Sequence, residues 1–351
     1  MRVLYLGESW NGSSARAFRE SLSKVPGVDV QDIPEDIFRP SYRSLVARLS
    51  VRLLRPVLAR EVSAEIMAQA ANFRPDVFVA YKGWSLAART VQAINRQGIF
   101  TVNLFPDASP VVHGRELARS VAHYRLIAST KPLHLEHWAS KFGYTNECIC
   151  IPHGFDPALH VRPTPPAAQP VDVLLAATWR TEYEILIRRT AELLAGAGIA
   201  ITLVGHGWAD AAARLPRNCT VSEAATGVAY VDTIRSAKIV IAPVQREYMW
   251  RGARHEGDVD STRTYELAAA YCFFLHRRTQ YVEQIYSPEH EVPTWDSPEE
   301  LAQLIIRFLP DEASRRAYAE RAHRRAVPHY SLDARTCDFV NAVRYRLDRT
   351  A

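Results

Sequence analysis

Apolar residues in this chain fall in short, nearly continuous runs separated by segments of helical length. The runs at 1–7, 28–33, 76–81, 100–105, 124–129 and 147–151 predict strands, and the stretches 13–24, 42–72, 86–97 and 131–142 between them predict helices. Continuous rather than alternating apolar runs suit strands buried on both faces, and their alternation with helices predicts a parallel sheet covered on both sides. The pattern then breaks. Residues 152–170 hold six prolines and little periodicity, which reads as a linker. The alternation resumes with strands at 171–177, 199–204, 228–231, 239–242 and 273–275, a helix at 182–195, and helical patterning from 298 that closes with a helix at 332–348. The expectation is an α/β chain of two doubly wound halves: 1–155, a hinge at 156–170, a second domain at 171–330, and a C-terminal helix (331–351) packing back toward the first half.

Composition changes this picture little. The chain has 351 residues, 48% hydrophobic and 23% charged, which is ordinary for a globular protein of two domains. No apolar run approaches the ~20 residues needed to cross a bilayer, and the first residues enter a strand without the apolar core of a signal peptide. The five cysteines are scattered without metal or disulfide spacing, so a reducing cytoplasm is the expected compartment. Charge is more telling. Six arginines and no acid lie between Arg39 and Arg60, so that segment carries +6 of a net +5 and the rest about −1. Arg48, Arg52 and Arg55 share one helical face, and Leu45, Val46, Leu49, Leu53 and Val57 the other. Two readings stand: a basic amphipathic helix on an anionic membrane surface, making the protein peripheral, or a surface helix packing on its own core, with Pro56 kinking or ending it. Nucleic acid is not expected, because only Tyr42 interleaves with the arginines.

The chemistry concentrates in 258–275, DVDSTRTYELAAAYCFFL. Asp258, Asp260, Ser261, Thr262 and Arg263 precede an apparent helix whose exposed N–H groups and positive dipole end favour phosphate. Ser261 and Thr262 add hydroxyl donors and Arg263 a fixed charge. Glu266, one turn on, is placed to accept hydrogen bonds from a ribose diol. The pattern predicts a nucleotide-diphosphate site, with a salt-bridged helix face through the i,i+3 pair Arg263 and Glu266 as its plain alternative. Asp258-Val-Asp260 also has the form of a divalent-metal motif, but two acids give a hard cation too few oxygens, and Asp260 serves equally as a helix cap. Two other phosphate signatures fail. Gly7 to Ser13 has P-loop glycine spacing with Ser13 where lysine is needed, and Gly205-His206-Gly207 lacks a third glycine.

From 260 the residues become recognisable. Asp-Ser-Thr-Arg-Thr-Tyr-Glu-Leu-Ala (260–268), Phe273-Phe-Leu, Glu291-Val and Ser297-Pro-Glu-Glu-Leu follow in order, and the segment 171–331 resembles the donor-binding half of GT-B glycosyltransferases, particularly the spore-maturation CgeB-like group. The first half resembles them more loosely, through Phe105-Pro-Asp107 and Ile151-Pro-His-Gly-Phe-Asp156. This resemblance implies two Rossmann-like domains facing a cleft, and transfer of a sugar from a nucleotide-sugar donor to a glycan, lipid-linked or other acceptor, with no divalent metal or other cofactor required. It implies Glu266 on the ribose, Asp258 at the position of a first acid near the sugar, Ser261, Thr262 and Arg263 at the diphosphate, and Arg180 stabilising the departing diphosphate. The lysine that often follows that arginine is missing, and Tyr271 stands where the family usually has glycine after the Ala-rich turn.

Such a transfer builds positive charge on the sugar and negative charge on the leaving group, which Arg180 and Arg263 would offset. His206, Trp208 and Tyr230 are further candidates around the donor, although Trp and Tyr are commonly core residues. A base for the acceptor is expected from the first half, with Asp107 and His113 as candidates beside their plainer reading as loop residues. Two rivals remain: an epimerase or hydrolase on the same architecture, and a catalytically silent sugar-nucleotide-binding protein.

Overall fold

The computed structural model describes residues 1–38, 45–111, 115–250 and 252–349, and of 45–56 and 250 the backbone alone. Described residues divide into two compact units. The first comprises Met1–His153, Tyr248–Gly257 and Leu332–Ala351, and the second Gly154–Glu247 and Asp258–Ser331.

The first unit is built on a parallel six-stranded sheet. Its strands are β1 (Arg2–Gly7), β2 (Asp29–Pro34), β3 (Val77–Tyr81), β4 (Phe100–Phe105), β5 (Leu126–Ser129) and β6 (Glu147–Cys150), in the order β2-β1-β3-β4-β5-β6. Successive side chains of β1 enter opposite cores: Leu4 and Leu6 join Ile66, Val91 and Trp138 on one face, Val3 and Tyr5 join Phe18, Phe339 and Val340 on the other. That two-sided burial is why Val3 to Leu6 are apolar at successive positions. The helix Leu332–Leu347 packs against the helix Ser14–Leu22 of this unit, with Phe339 edge-on to Phe18. Ser13 caps Ser14–Leu22 by accepting from the Ala15 N–H at 3.2 Å, so the P-loop-like spacing is a helix cap here. The helix Leu45–Phe73 continues past Pro56. The basic face expected from Arg48, Arg52 and Arg55 lies outside the described side chains.

The second unit holds another parallel six-stranded sheet, of β7 (Val171–Ala176), β8 (Ile201–Val204), β9 (Cys219–Ser222), β10 (Ala237–Ala242), β13 (Phe274–Arg277) and β14 (Thr294–Trp295), in the order β14-β13-β10-β7-β8-β9. Again β7 alternates between two cores, Val173 and Leu175 against Leu174 and Ala176. The remaining strands, β11 (Glu247–Trp250) and β12 (Ala253–Glu256), form a separate two-stranded ribbon. The sequence places that ribbon inside the second domain, but its Tyr248–Gly257 belongs to the first unit, where Lys141 lies over the Tyr248 ring.

One predicted strand is wrong. Residues 228–231 belong to the helix Gly227–Arg235, with Val231 and Ile234 buried and Val228 exposed, the three-to-four spacing of a helix face. The edge strand in that region is β9, whose mixed burial gave no continuous apolar run. A four-residue apolar segment is compatible with either form, and packing decides. No described helix is long and apolar enough to cross a membrane.

Candidate functional site

In the second unit, β10 and β13 lie side by side, and the segment 258–262 leads into the helix Arg263–Ala269 just ahead of β13. Thr262 is the N-cap but makes no side-chain capping bond. The expected cap, Asp260, is fully buried and accepts from the Tyr265 hydroxyl at 2.7 Å. The helix start is instead fixed by a relay of hydrogen bonds. His276 Nδ1 lies 2.7 Å from the Arg277 carbonyl, which can only accept, so Nδ1 carries the proton. Its Nε2 therefore accepts from the Thr264 hydroxyl at 2.8 Å, and Thr264 Oγ1 in turn accepts from the Ser261 N–H at 3.0 Å. Burial lowers the His276 pKa to about 4, which keeps the ring neutral and the relay in this direction at neutral pH.

Held this way, Ser261 Oγ and Arg263 Nε are both buried and both lack a hydrogen-bond partner. Arg263 is anchored by its Nη2, which donates to the Pro243 carbonyl at 3.2 Å. A buried donor without an acceptor costs about 1–3 kcal/mol, and here two such donors lie two residues apart at one helix start. Burial raises the pKa of the Tyr183 phenol, and Arg263, Arg180, Glu182 and Asp258 also act on it electrostatically, so these four lie within electrostatic reach of that phenol. One helical turn beyond, Glu266 Oε2 accepts from the Tyr230 hydroxyl at 3.0 Å, and His160 Nε2 stands 3.9 Å from Glu266 Oε1. Arg263 thus pairs with a backbone carbonyl and Glu266 with Tyr230, where a plain helix face would have paired the two with each other.

Arg180 is exposed and sits at the N-cap of the helix Thr181–Leu194. Its position is set by Trp179, whose indole N–H donates to Glu184 at 2.8 Å. Arg214 bonds both oxygens of Glu184 and holds its pKa down to about 2. The Trp179 N–H donates to the His206 carbonyl at 2.8 Å, so the loops after β7 and β8 are tied together. Gly205 makes that approach feasible, since a Cβ there would lie 2.1 Å from the Ala177 carbonyl oxygen. His206 itself is exposed, whereas Trp208 is wholly buried with its indole N–H on the Ala177 carbonyl, and so belongs to the core.

In the first unit Asp107 follows β4 and pairs with Lys82 Nζ at 2.8 Å. His134 Nε2 bonds the adjacent Ala108 carbonyl at 2.9 Å and pins that loop. Lys82 adopts φ +63, and its carbonyl accepts from Asn103 Nδ2 at 3.0 Å, so a side chain is retained in a backbone conformation that glycine holds more cheaply. His113 lies outside the described residues.

Sequence reasoning missed His160, His276 and Tyr183. Of these only His160 left a signal: Asp156 caps a short helix begun by Pro157, and His160 four residues on shares its face. Tyr271, standing where glycine is usual, adopts φ +60 and so keeps a side chain in the left-handed region. Among described residues no group of three or more His, Cys, Asp or Glu converges on a metal position.

Residues 180–341 match a family model described as glycosyl transferase-like. No curated protein matches the chain in sequence. Among solved structures, sucrose-phosphate synthase from Thermosynechococcus elongatus is similar over 100% of both chains, with TM-score 0.68 at 13% identity. HepE from Anabaena, solved in complex with UDP-glucose, is similar over 98% of this chain and 100% of that one, with TM-score 0.64 at 12% identity. UDP-GlcNAc 2-epimerase from Neisseria meningitidis, bound to UDP-GlcNAc, covers 98% of this chain and 99% of its own, with TM-score 0.55 at 10% identity. The two sheets and this likeness establish the fold as GT-B, with two Rossmann-like domains.

Proposed function

We propose that the chain is a glycosyltransferase of the CgeB-like group that takes its sugar from a nucleotide-sugar donor held on the second unit. The observation that carries this reading is the pair of buried, unpartnered donors at one helix start, Ser261 Oγ and Arg263 Nε. A diphosphate supplies the acceptors those groups lack. Glu266, oriented by Tyr230, receives the ribose hydroxyls. Departure of the nucleoside diphosphate is assisted by Arg180 and Arg263, whose guanidinium groups do the work a divalent cation would otherwise do. Asp258 lies toward the transferred sugar, Thr262 and His206 border the donor, and Asp107 takes the proton from a glycan or lipid-linked acceptor. The family match over 180–341 and the UDP-glucose complex of HepE support the donor class.

The test is thermal melting of the full chain with UDP-, GDP-, dTDP- and CMP-sugars, in EDTA and in Mg²⁺, followed by product analysis. One donor should raise the transition with EDTA present, because a ligand that binds only the native state stabilises it. Transfer should then disappear in Arg180→Ala and in Glu266→Ala. If no sugar-nucleotide shifts the transition under either condition, the reading fails. An epimerised donor formed without any acceptor would favour the epimerase reading that the Neisseria meningitidis structure raises.

A further inference from the structure

One turn into the helix Arg263–Ala269, a second side chain faces the carboxylate of Glu266. Three short helices of the second unit meet there: Pro157–His160, Gly227–Arg235 and Arg263–Ala269 itself. From Gly227–Arg235 the Tyr230 hydroxyl donates to Glu266 Oε2 at 3.0 Å. From Pro157–His160 the His160 ring stands edge-on to Tyr230, with centroids 6.3 Å apart and planes 80° from parallel. This brings His160 Nε2 to 3.9 Å from Glu266 Oε1.

Packing and local bonding explain only part of that ring. Nδ1 lies 3.1 Å from the Asp156 carbonyl oxygen, which can only accept, so Nδ1 carries a proton. In the neutral ring Nε2 is then an acceptor, turned toward a carboxylate oxygen that is also an acceptor. At 3.9 Å the two atoms are too far apart to share a hydrogen bond. Among the described residues no donor is bonded to either of them. A phenylalanine ring would pack on Tyr230 equally well, so packing does not account for the nitrogen. The His160 and Glu266 side chains are 7% and 14% exposed, which leaves them mostly dry and still within reach of a ligand. What the pair lacks is two donors held side by side, and the vicinal hydroxyls of a ribose are such donors.

We propose that His160 Nε2 and Glu266 Oε1 bind the 2′- and 3′-hydroxyls of the donor's ribose, one each, so that the site selects ribonucleotides over deoxyribonucleotides. The inference rests on the donor reading above and makes His160 a specificity-determining residue. With Oε2 engaged by Tyr230, Oε1 is the oxygen left open on Glu266, and the second hydroxyl goes to His160. A nucleotide lacking either hydroxyl leaves one acceptor without a donor in a largely enclosed place, which is the source of the discrimination.

Titration calorimetry of the full chain with UDP, GDP and CMP, each beside its 2′-deoxy and 3′-deoxy forms, tests the site. For the nucleotide that binds, each missing hydroxyl should weaken wild-type binding by about tenfold. In His160→Phe one of the two penalties should vanish, while the other, which belongs to Glu266, remains. His160→Gln, whose amide oxygen accepts a hydrogen bond from the same side, should restore it. Ser261→Ala should weaken all three forms alike and leave their ratios unchanged. A purely structural role for His160 cannot move those ratios, because a loosened fold weakens ribo and deoxy forms together. The inference is overturned by wild-type affinities that do not separate the three forms, or by a uniform loss or no loss in His160→Phe. Either result leaves the donor reading standing. Failure of every nucleotide to bind overturns both.

Discussion

At Ser261 the proposed donor role and stability are expected to pull in opposite directions. Its hydroxyl is buried without a partner in the free protein, so Ser261→Ala removes an unsatisfied donor and should leave stability unchanged or raise it by up to about 1 kcal/mol. The same change should weaken donor binding by about tenfold, since a hydrogen bond to a charged group is lost. Denaturant melts and calorimetry on one variant check both; a stability loss together with unchanged donor affinity would make Ser261 a structural residue. Gly205 is the contrary case. A methyl group there meets the Ala177 carbonyl oxygen at 2.1 Å, so Gly205→Ala should cost on the order of 3 kcal/mol by forcing the loops after β7 and β8 apart. The sequence named Ser261, Arg263 and Glu266 because their chemistry is local to one helix start. It could not name His276 or Tyr183, whose roles come from residues brought beside them by folding.

Among the elements, the helix Arg263–Ala269 depends on its neighbour strand β13 for its starting geometry. Thr264 joins the two by donating to His276 and accepting from Ser261. Thr264→Val keeps the shape and deletes both bonds, leaving a buried ring nitrogen and a backbone N–H without partners. The expected cost is about 3 kcal/mol in a denaturant melt, with weaker donor binding as Ser261 loosens. Thr264→Ser should restore most of it. Strands with two buried faces were legible, because the central residues of β1, β3, β7 and β10 are apolar on both faces, with Arg2, Asp172 and Lys238 confined to strand ends. The helix Gly227–Arg235 was not, since its four-residue apolar run fits either form until Val231 and Ile234 find the core.

On the scale of the molecule, two buried histidines bonded to hydroxyls are held neutral: His134 with Ser129 at 2.6 Å in the first unit, and His276 with Thr264 at 2.8 Å in the second. Burial lowers both pKa values from 6.5 to about 4. The unfolded chain therefore takes up these protons first as pH falls. Stability is complete above about pH 6.5 and declines toward pH 4, by at most ~1.4 kcal/mol per unit for each histidine. Urea midpoints at pH 7.5 and 5.0 should differ accordingly, and His276→Asn should shrink that difference; an unchanged difference would show that carboxylates dominate acid unfolding. The sequence by itself determined the two α/β halves and which residue types stand at the helix start 258–266, because burial pattern and helix-start composition are local properties. Only tertiary structure decided that Tyr248–Gly257 belongs to the first unit, and that His160 stands beside Glu266 and Tyr183 within electrostatic reach of Arg263. Those groupings rest on contacts between residues far apart in sequence, which no periodicity records.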